Sequence, residues 1–302
     1  MSRRHRILSA ALTSALALFA SIPALSQSIT CTYTSFEGNP QANLGSGANG
    51  LNDVDAAVGT WTHFFNTDSS VTHGFLRAPA GKITDIYHPK SYVTYPTGIN
   101  DNETVVGYYQ NTQHNSAADG FTWKNGVFTP LQYPNSVYTE PEGINRNGEI
   151  VGWYAVGANP GVGFLYSAGH FTTISYPGAF VTVATGVNNL GEIVGWWSDT
   201  NGTQSAFIYN NGTYQTVFYP GGTGTEFTAV NDSGEIGGFY FAPGPDQNPY
   251  GFIYTNGTFK LLTISNTNDN IVFGLNGKGD VSGVYQTVQF GTTTAFIGTN
   301  CH

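Results

Sequence analysis

Charge is what this chain has least of. Asp, Glu, Lys and Arg make up 10% of its 302 residues, and Lys plus Arg number only 10. So few cations cannot pave a surface for a phosphate backbone, and the formal charge of −9 repels one. Nucleic acid is therefore excluded as a partner. Long apolar runs are absent after the first 26 residues, so no membrane span is expected beyond that point. HExxH, GxSxG and Gly-rich phosphate loops are absent too, which removes the common hydrolase and nucleotide signatures. The Asn-rich loops, such as "NDVD", match no full calcium-ligand spacing, and no metal or cofactor is expected. Cysteine occurs only twice, as Cys31 and Cys301.

What the sequence does contain begins with an address. Arg3, Arg4 and Arg6 precede "ILSAALTSALALFASIPAL" and then "ALSQS". A basic start, a short apolar stretch and small residues predict a signal peptide over 1–26, cut near Ser26–Gln27. The remainder, 27–302, reads as one secreted or periplasmic domain. Its 39 glycines and 14% aromatic content suit many short strands joined by tight turns.

One sentence is written six times. A leading Asn recurs at Asn52, Asn100, Asn145, Asn188, Asn231 and Asn276, spaced by 48, 45, 43, 43 and 45. Seven residues later comes Gly59, Gly107, Gly152, Gly195, Gly238 or Gly283. A second strand-like motif follows, centred on Phe75, Phe121, Phe164, Phe207, Phe252 and Phe296. Twelve residues beyond the first five stand Tyr87, Tyr133, Tyr176, Tyr219 and Ile264. Each period holds four strand candidates, with Asn-Gly turns such as "NNGT" between the third and fourth. A period of about 45 residues with four strands predicts a six-bladed β-propeller.

The ends predict closure. The last unit stops after its third strand, and "CTYTSFEG" near the start aligns with a fourth strand, "FTTISYPG". That alignment puts Cys31 and Cys301 side by side, so a disulfide is expected between them in an exported chain. The motifs "GINDNETVVGYY", "GINRNGEIVGWY" and "GVNNLGEIVGWW", each followed by "GFLY"- or "AFIY"-type strands, resemble the bacterial "probable extracellular repeat, HAF family". The resemblance spans the mature chain. It implies a repeat architecture and carries no activity. The family's characteristic His appears only as His73.

Binding candidates come from two patterns. Two residues after each repeat Gly stands an aromatic: Trp61, Tyr109, Tyr154, Trp197, Tyr240 and Tyr285. These form either a stacking ring for a ligand or inter-blade packing. Residues that break the repeat are His63, His73, His88, His114, Glu140 and Glu226, and the two Glu stand at equivalent positions. The acids Glu149, Glu192, Glu235 and Asp280 recur in four units and read as hydrogen-bonding groups at strand starts. The links between second and third strands, such as "HFFNTDSSVTH", read as long loops on one face, where a ligand would meet the scaffold. The function expected is a monomeric, non-catalytic binding or structural module at the cell envelope or outside it, with a glycan or protein ligand on that face. The alternative is a carbohydrate-active propeller enzyme, a glycoside hydrolase or lyase using Glu140 and Glu226.

Overall fold

The computed structural model describes residues 27–66, 69–89, 91–111, 117–287 and 292–301. The expected signal peptide and His114 lie outside the described residues. The described chain is all-β, and no helix in it is long and apolar enough to cross a membrane.

Its strands assemble into four-stranded antiparallel units that follow the sequence period. In the fourth repeat the strands are Val181–Val187, Ile193–Ser198, Gln204–Asn210 and Thr213–Val217. Each strand pairs with the next in antiparallel register. The repeat Gly is explained by the first pairing. A Cβ added at Gly195 would lie 2.0 Å from the Val183 carbonyl oxygen, and one at Gly59 1.9 Å from that of Gly47. The Phe of the third strand packs over the same spot, and Phe75, Phe121, Phe164, Phe207, Phe252 and Phe296 are all fully buried. Gly and Phe are thus one device: the missing side chain admits the ring.

The leading Asn is a joint between units. The Asn188 side-chain oxygen accepts from the Leu190 and Glu192 amides, at 3.1 and 2.9 Å, which fixes its own turn. Its amide donates 3.2 Å to the Asn231 carbonyl in the next unit. The same donation runs from Asn52 to Asn100, Asn100 to Asn145, Asn145 to Asn188 and Asn231 to Asn276. Asn276 then donates back to the Asn52 carbonyl at 3.2 Å. Only a side chain with one acceptor and one donor at this reach does both jobs. Glu149, Glu235 and Asp280 accept from the same Asn amides, at 2.7, 2.9 and 3.3 Å, the strand-start bonding expected of them.

The chain ends meet. Thr32–Phe36 lies antiparallel beside Thr293–Thr299, as the fourth strand of the last unit. Thr293 also bridges in parallel to Gly45 of the first unit. Cys31 and Cys301 form a disulfide. One element is an addition to the expectation: Gln27–Ile29 runs parallel along Thr258–Leu262, as an outer fifth strand of the unit before the last. The same N-terminal segment therefore ties two neighbouring units.

One expected loop is corrected. Much of "HFFNTDSSVTH" is strand, because Ala57–Asn66 and Ser69–Arg77 extend into it as a long hairpin. β-favouring Phe, Val and Thr residues continue the ladder there, with His63 opposite Val71 and Phe64 opposite Ser70.

Candidate functional site

The first strand of every unit lines a common interior cavity of about 350 Å³. Each of these strands carries a bulge opposite the repeat Gly: pairing skips one residue between Ala48 and Gly50, Pro96 and Gly98, Pro141 and Gly143, and so on round the units. A bulge re-aims the skipped side chain. The skipped residues are Asn49, Thr97, Glu142, Thr185, Thr228 and Phe273. Four of them are joints. Asn49 donates to the Pro96 carbonyl, Thr97 to Pro141, Thr185 to Phe227 and Thr228 to Val272, at 2.7–2.9 Å. Glu142 stands where its neighbours place a donor to the next unit, and a carboxyl has a donor to give only while it is protonated.

Beyond the bulges the cavity narrows through an aliphatic collar that includes Leu51, Ile99, Val187 and Val230. The collar is shared with a smaller cavity of about 90 Å³ at the tight-turn end. Arg146 spans that end, with Nε 2.8 Å from Asp101 and a terminal nitrogen 3.0 Å from Asp53. The tight-turn mouth is thus held by a cation between two carboxylates of other units.

Two carboxyls, Glu142 and Glu226, line the larger space, and a third, Glu140, stands behind it against Trp153. Glu140 and Glu226 sit just before the bulges of their units, paired across the ladder with Trp153 and Phe239. Gln204 donates to Glu226 at 2.6 Å, and the Trp153 indole serves both Glu140 and Glu142. All three are partly buried. Burial first pushes Glu140 up to about 7, and Glu226 likewise to about 7. Glu142 is raised well above the usual carboxyl range by burial and then by the charges of Glu140 and Glu226. Tyr95 and Tyr108, stacked at 5.2 Å, are raised for the same reasons. No ion pair among the described residues engages these carboxyls. No group of three His, Cys, Asp or Glu among the described residues is arranged to hold a metal ion.

The six repeated aromatics lie elsewhere. Tyr109 stacks on His88 at 3.7 Å, Tyr154 on Tyr133 at 3.5 Å, Trp197 on Tyr176 at 4.4 Å and Tyr240 on Tyr219 at 3.7 Å. Each partner belongs to the preceding unit, so these rings seal the seams between units. Trp61 stacks between His63 and His73, and its indole donates to Asp85, which also meets His73 at 3.1 Å. Tyr285 tilts against Phe296 and donates to Ser35 of the N-terminal strand. None of the six lines the cavity. Burial lowers the His88 imidazole, and its Nδ1, like that of His63, is buried with no hydrogen-bond partner among the described residues.

The cavity is lined by the residues one position earlier: Tyr108, Trp153, Trp196 and Phe239. Adjacent strand residues face opposite sides, so the two aromatics of "GWY" or "GWW" have separate jobs. Glu140 and Glu226 are brought together with Glu142, which sequence reasoning missed. Counting back three from the repeat Asn gives Asn49, Thr97, Glu142, Thr185, Thr228 and Phe273. A charged residue among small hydrogen-bonding ones was the available signal.

No family model matches the chain, and no curated protein matches it. Solved structures do. The β-propeller domain of the trilobed protease from Pyrococcus furiosus aligns with a TM-score of 0.52 at 9% identity, covering 85% of this chain and 96% of that one. TolB from Acinetobacter baumannii aligns at 0.52 with 12% identity, over 76% of this chain and 60% of that one. An acylaminoacyl peptidase from Pyrococcus horikoshii aligns at 0.51 with 8% identity, over 87% and 53%. The chain therefore spans little more than half the length of the last two. At these identities the likeness shows the fold alone: the chain is a β-propeller.

Proposed function

We propose that this chain is a closed six-bladed propeller acting outside the cytoplasm as a binding module, with its ligand seated in the central channel. Closure is supported by the Asn-to-carbonyl bonds that return from Asn276 to Asn52, and by the strand and disulfide that join the ends. Export is supported by the predicted leader together with the disulfide. The repeat resembles the HAF type, and a monomer suffices for the site.

The observation that carries the binding reading is a division of labour. Residues repeated in every blade are consumed by architecture, as turn joints, seam stacks and buried Phe. Residues that break the pattern meet in one cavity with aromatic walls and acidic groups, which is how a ligand site on a repeat scaffold is built. The six repeated aromatics, with His63 and His88, then act in the scaffold and not on the ligand.

Glycan and peptide arrays probed with the oxidised mature chain test this. Val183→Trp fills the cavity from a wall position, and Trp153→Leu removes an aromatic face. Array binding should fall in both variants while cooperative unfolding persists. Binding that survives both would refute the channel site.

A second reading is favoured by one observation. Glu226 in the cavity wall and Glu140 behind it are both raised to about 7, the range a general acid needs. Polysaccharide turnover that vanishes in Glu140→Gln or Glu226→Gln would make the module an enzyme.

A further inference from the structure

The channel has an unbalanced inventory. Its walls supply the carboxyls of Glu142 and Glu226, with Glu140 behind them, and several aromatic faces, and no Lys, Arg or His among the described residues lines it. Arg146 is engaged with Asp53 and Asp101 at the far mouth, beyond the aliphatic collar. Lys278 pairs with Asp55 on the same face. The hydrogen bonds that reach the acids come from Trp153 and Gln204. Glu142 interrupts a row of joints whose other polar members all donate to the next blade. A carboxyl there must either keep its proton or add like charge beside Glu140 and Glu226. Such an arrangement is costly when empty and is relieved by a cation that enters.

We infer that the channel takes an organic ammonium group, with Glu140, Glu142 and Glu226 as counter-charges and Trp153, Trp196 and Tyr108 packing its carbons. The inference rests on the channel being the binding site. Aromatic faces attract a cation through the ring quadrupole, and more strongly where water is excluded. They also cover the apolar stem of an alkylamine, as they would any buried apolar surface. A metal ion fits less well, since the acids are not gathered into a metal-ligating group among the described residues. A neutral sugar would leave the crowded carboxyls unanswered. The cavity of about 350 Å³ is large enough for a small ligand or one extended side chain. Two sources share this chemistry: a free polyamine, and a lysine side chain presented by a peptide.

Occupancy should also move protons. Glu140 and Glu226 are half protonated near pH 7, and an arriving cation favours their charged forms. Binding therefore releases protons at neutral pH and weakens in acid.

Calorimetric titration of the oxidised mature chain tests the inference. The probes are spermidine, a trilysine peptide, the same peptide with acetylated side chains, and chitotriose as the neutral control. Spermidine or the unmodified peptide should bind, with proton release seen as a buffer-dependent heat. Affinity should fall about tenfold or more between pH 8 and pH 5. It should fall comparably in Glu226→Gln, whose cooperative unfolding is checked in parallel. Spermidine alone binding identifies a free amine as ligand, and the peptide alone identifies a lysine side chain. Either supports the inference, provided acetylation abolishes the peptide's binding. Failure of both amines to bind overturns it, as does amine binding indifferent to both Glu226→Gln and Glu140→Gln. Chitotriose binding that is lost in Trp153→Leu but not in Glu226→Gln overturns the ammonium ligand and leaves the channel reading intact.

Discussion

Glu226→Gln is the substitution whose effect on stability can be worked from the channel. In the folded chain the Glu226 carboxyl is raised from 4.5 to about 7, mainly by burial, with the Gln204 amide acting in the opposite sense. A raised carboxyl pKa means the fold holds the proton more tightly than the unfolded chain does. Its contribution is fully present below about pH 4.5 and is lost as pH rises through about 7. A shift of that size corresponds to on the order of 3 kcal/mol. Glutamine is neutral at every pH and keeps an oxygen for Gln204 to donate to. The variant should therefore match the parent near pH 4 and exceed it near pH 8 by roughly 2–3 kcal/mol, after allowing for residual water at the lumen. Urea unfolding of both oxidised proteins at the two pH values gives the difference directly. A variant effect that is the same at both pH values, or a variant less stable near pH 8, would refute the idea that Glu226 is a crowded acid.

Other perturbations probe the scaffold. Replacing Cys31 by Ser opens a loop of 270 residues, which on chain-entropy grounds should cost up to about 5 kcal/mol, read as a lower urea midpoint that matches the reduced parent. Asn188→Ala removes a donor to Asn231 and an acceptor of two turn amides, so thermal unfolding should report a loss of about 2–3 kcal/mol; a loss under 0.5 kcal/mol would deny the joint its role. Trp197→Ala empties a seam stack at Tyr176 and should cost about 3 kcal/mol, with ligand affinity unchanged once the protein is folded.

Much of the fold was legible because the repeat is dictated by close contacts. A Gly with a carbonyl at 1.9–2.3 Å from its would-be Cβ cannot vary, and an Asn that bonds its own turn and the next blade cannot either. Such positions print a period in the sequence. The N-terminal fourth strand was legible for the same reason, since it must copy the pattern of the strands it replaces. The outer strand Gln27–Ile29 was not, because a three-residue parallel edge has no period to follow. The "HFFNTDSSVTH" segment misled because it departs from the repeat and its polar residues gave no alternating strand pattern.

The site was half legible. Glu140 and Glu226 stood out as breaks in the pattern; Glu226 lines the cavity, and both lie close enough to Glu142 to raise it. Of the two readings of the repeated aromatics, packing fits Tyr109, Tyr154, Trp197 and Tyr240, which stack across the seams. One position earlier, Tyr108, Trp153, Trp196 and Phe239 line the cavity where other units carry Thr60 and Val284, and variation hid them from a search for repeats. Glu142 was hidden by the bulge. A skipped residue shifts the in–out alternation by one, and only the ladder register reveals which side chain it turns inward.

The most direct test of the account is a crystal structure of the oxidised mature chain grown with the tightest ligand from the arrays or titrations. The account expects six blades, with Asn276 bonded to Asn52 and ligand density between Glu226, Trp153 and Trp196. An open seam between the first and last blades, or a ligand held only on the outer loops with the channel unoccupied, would contradict it.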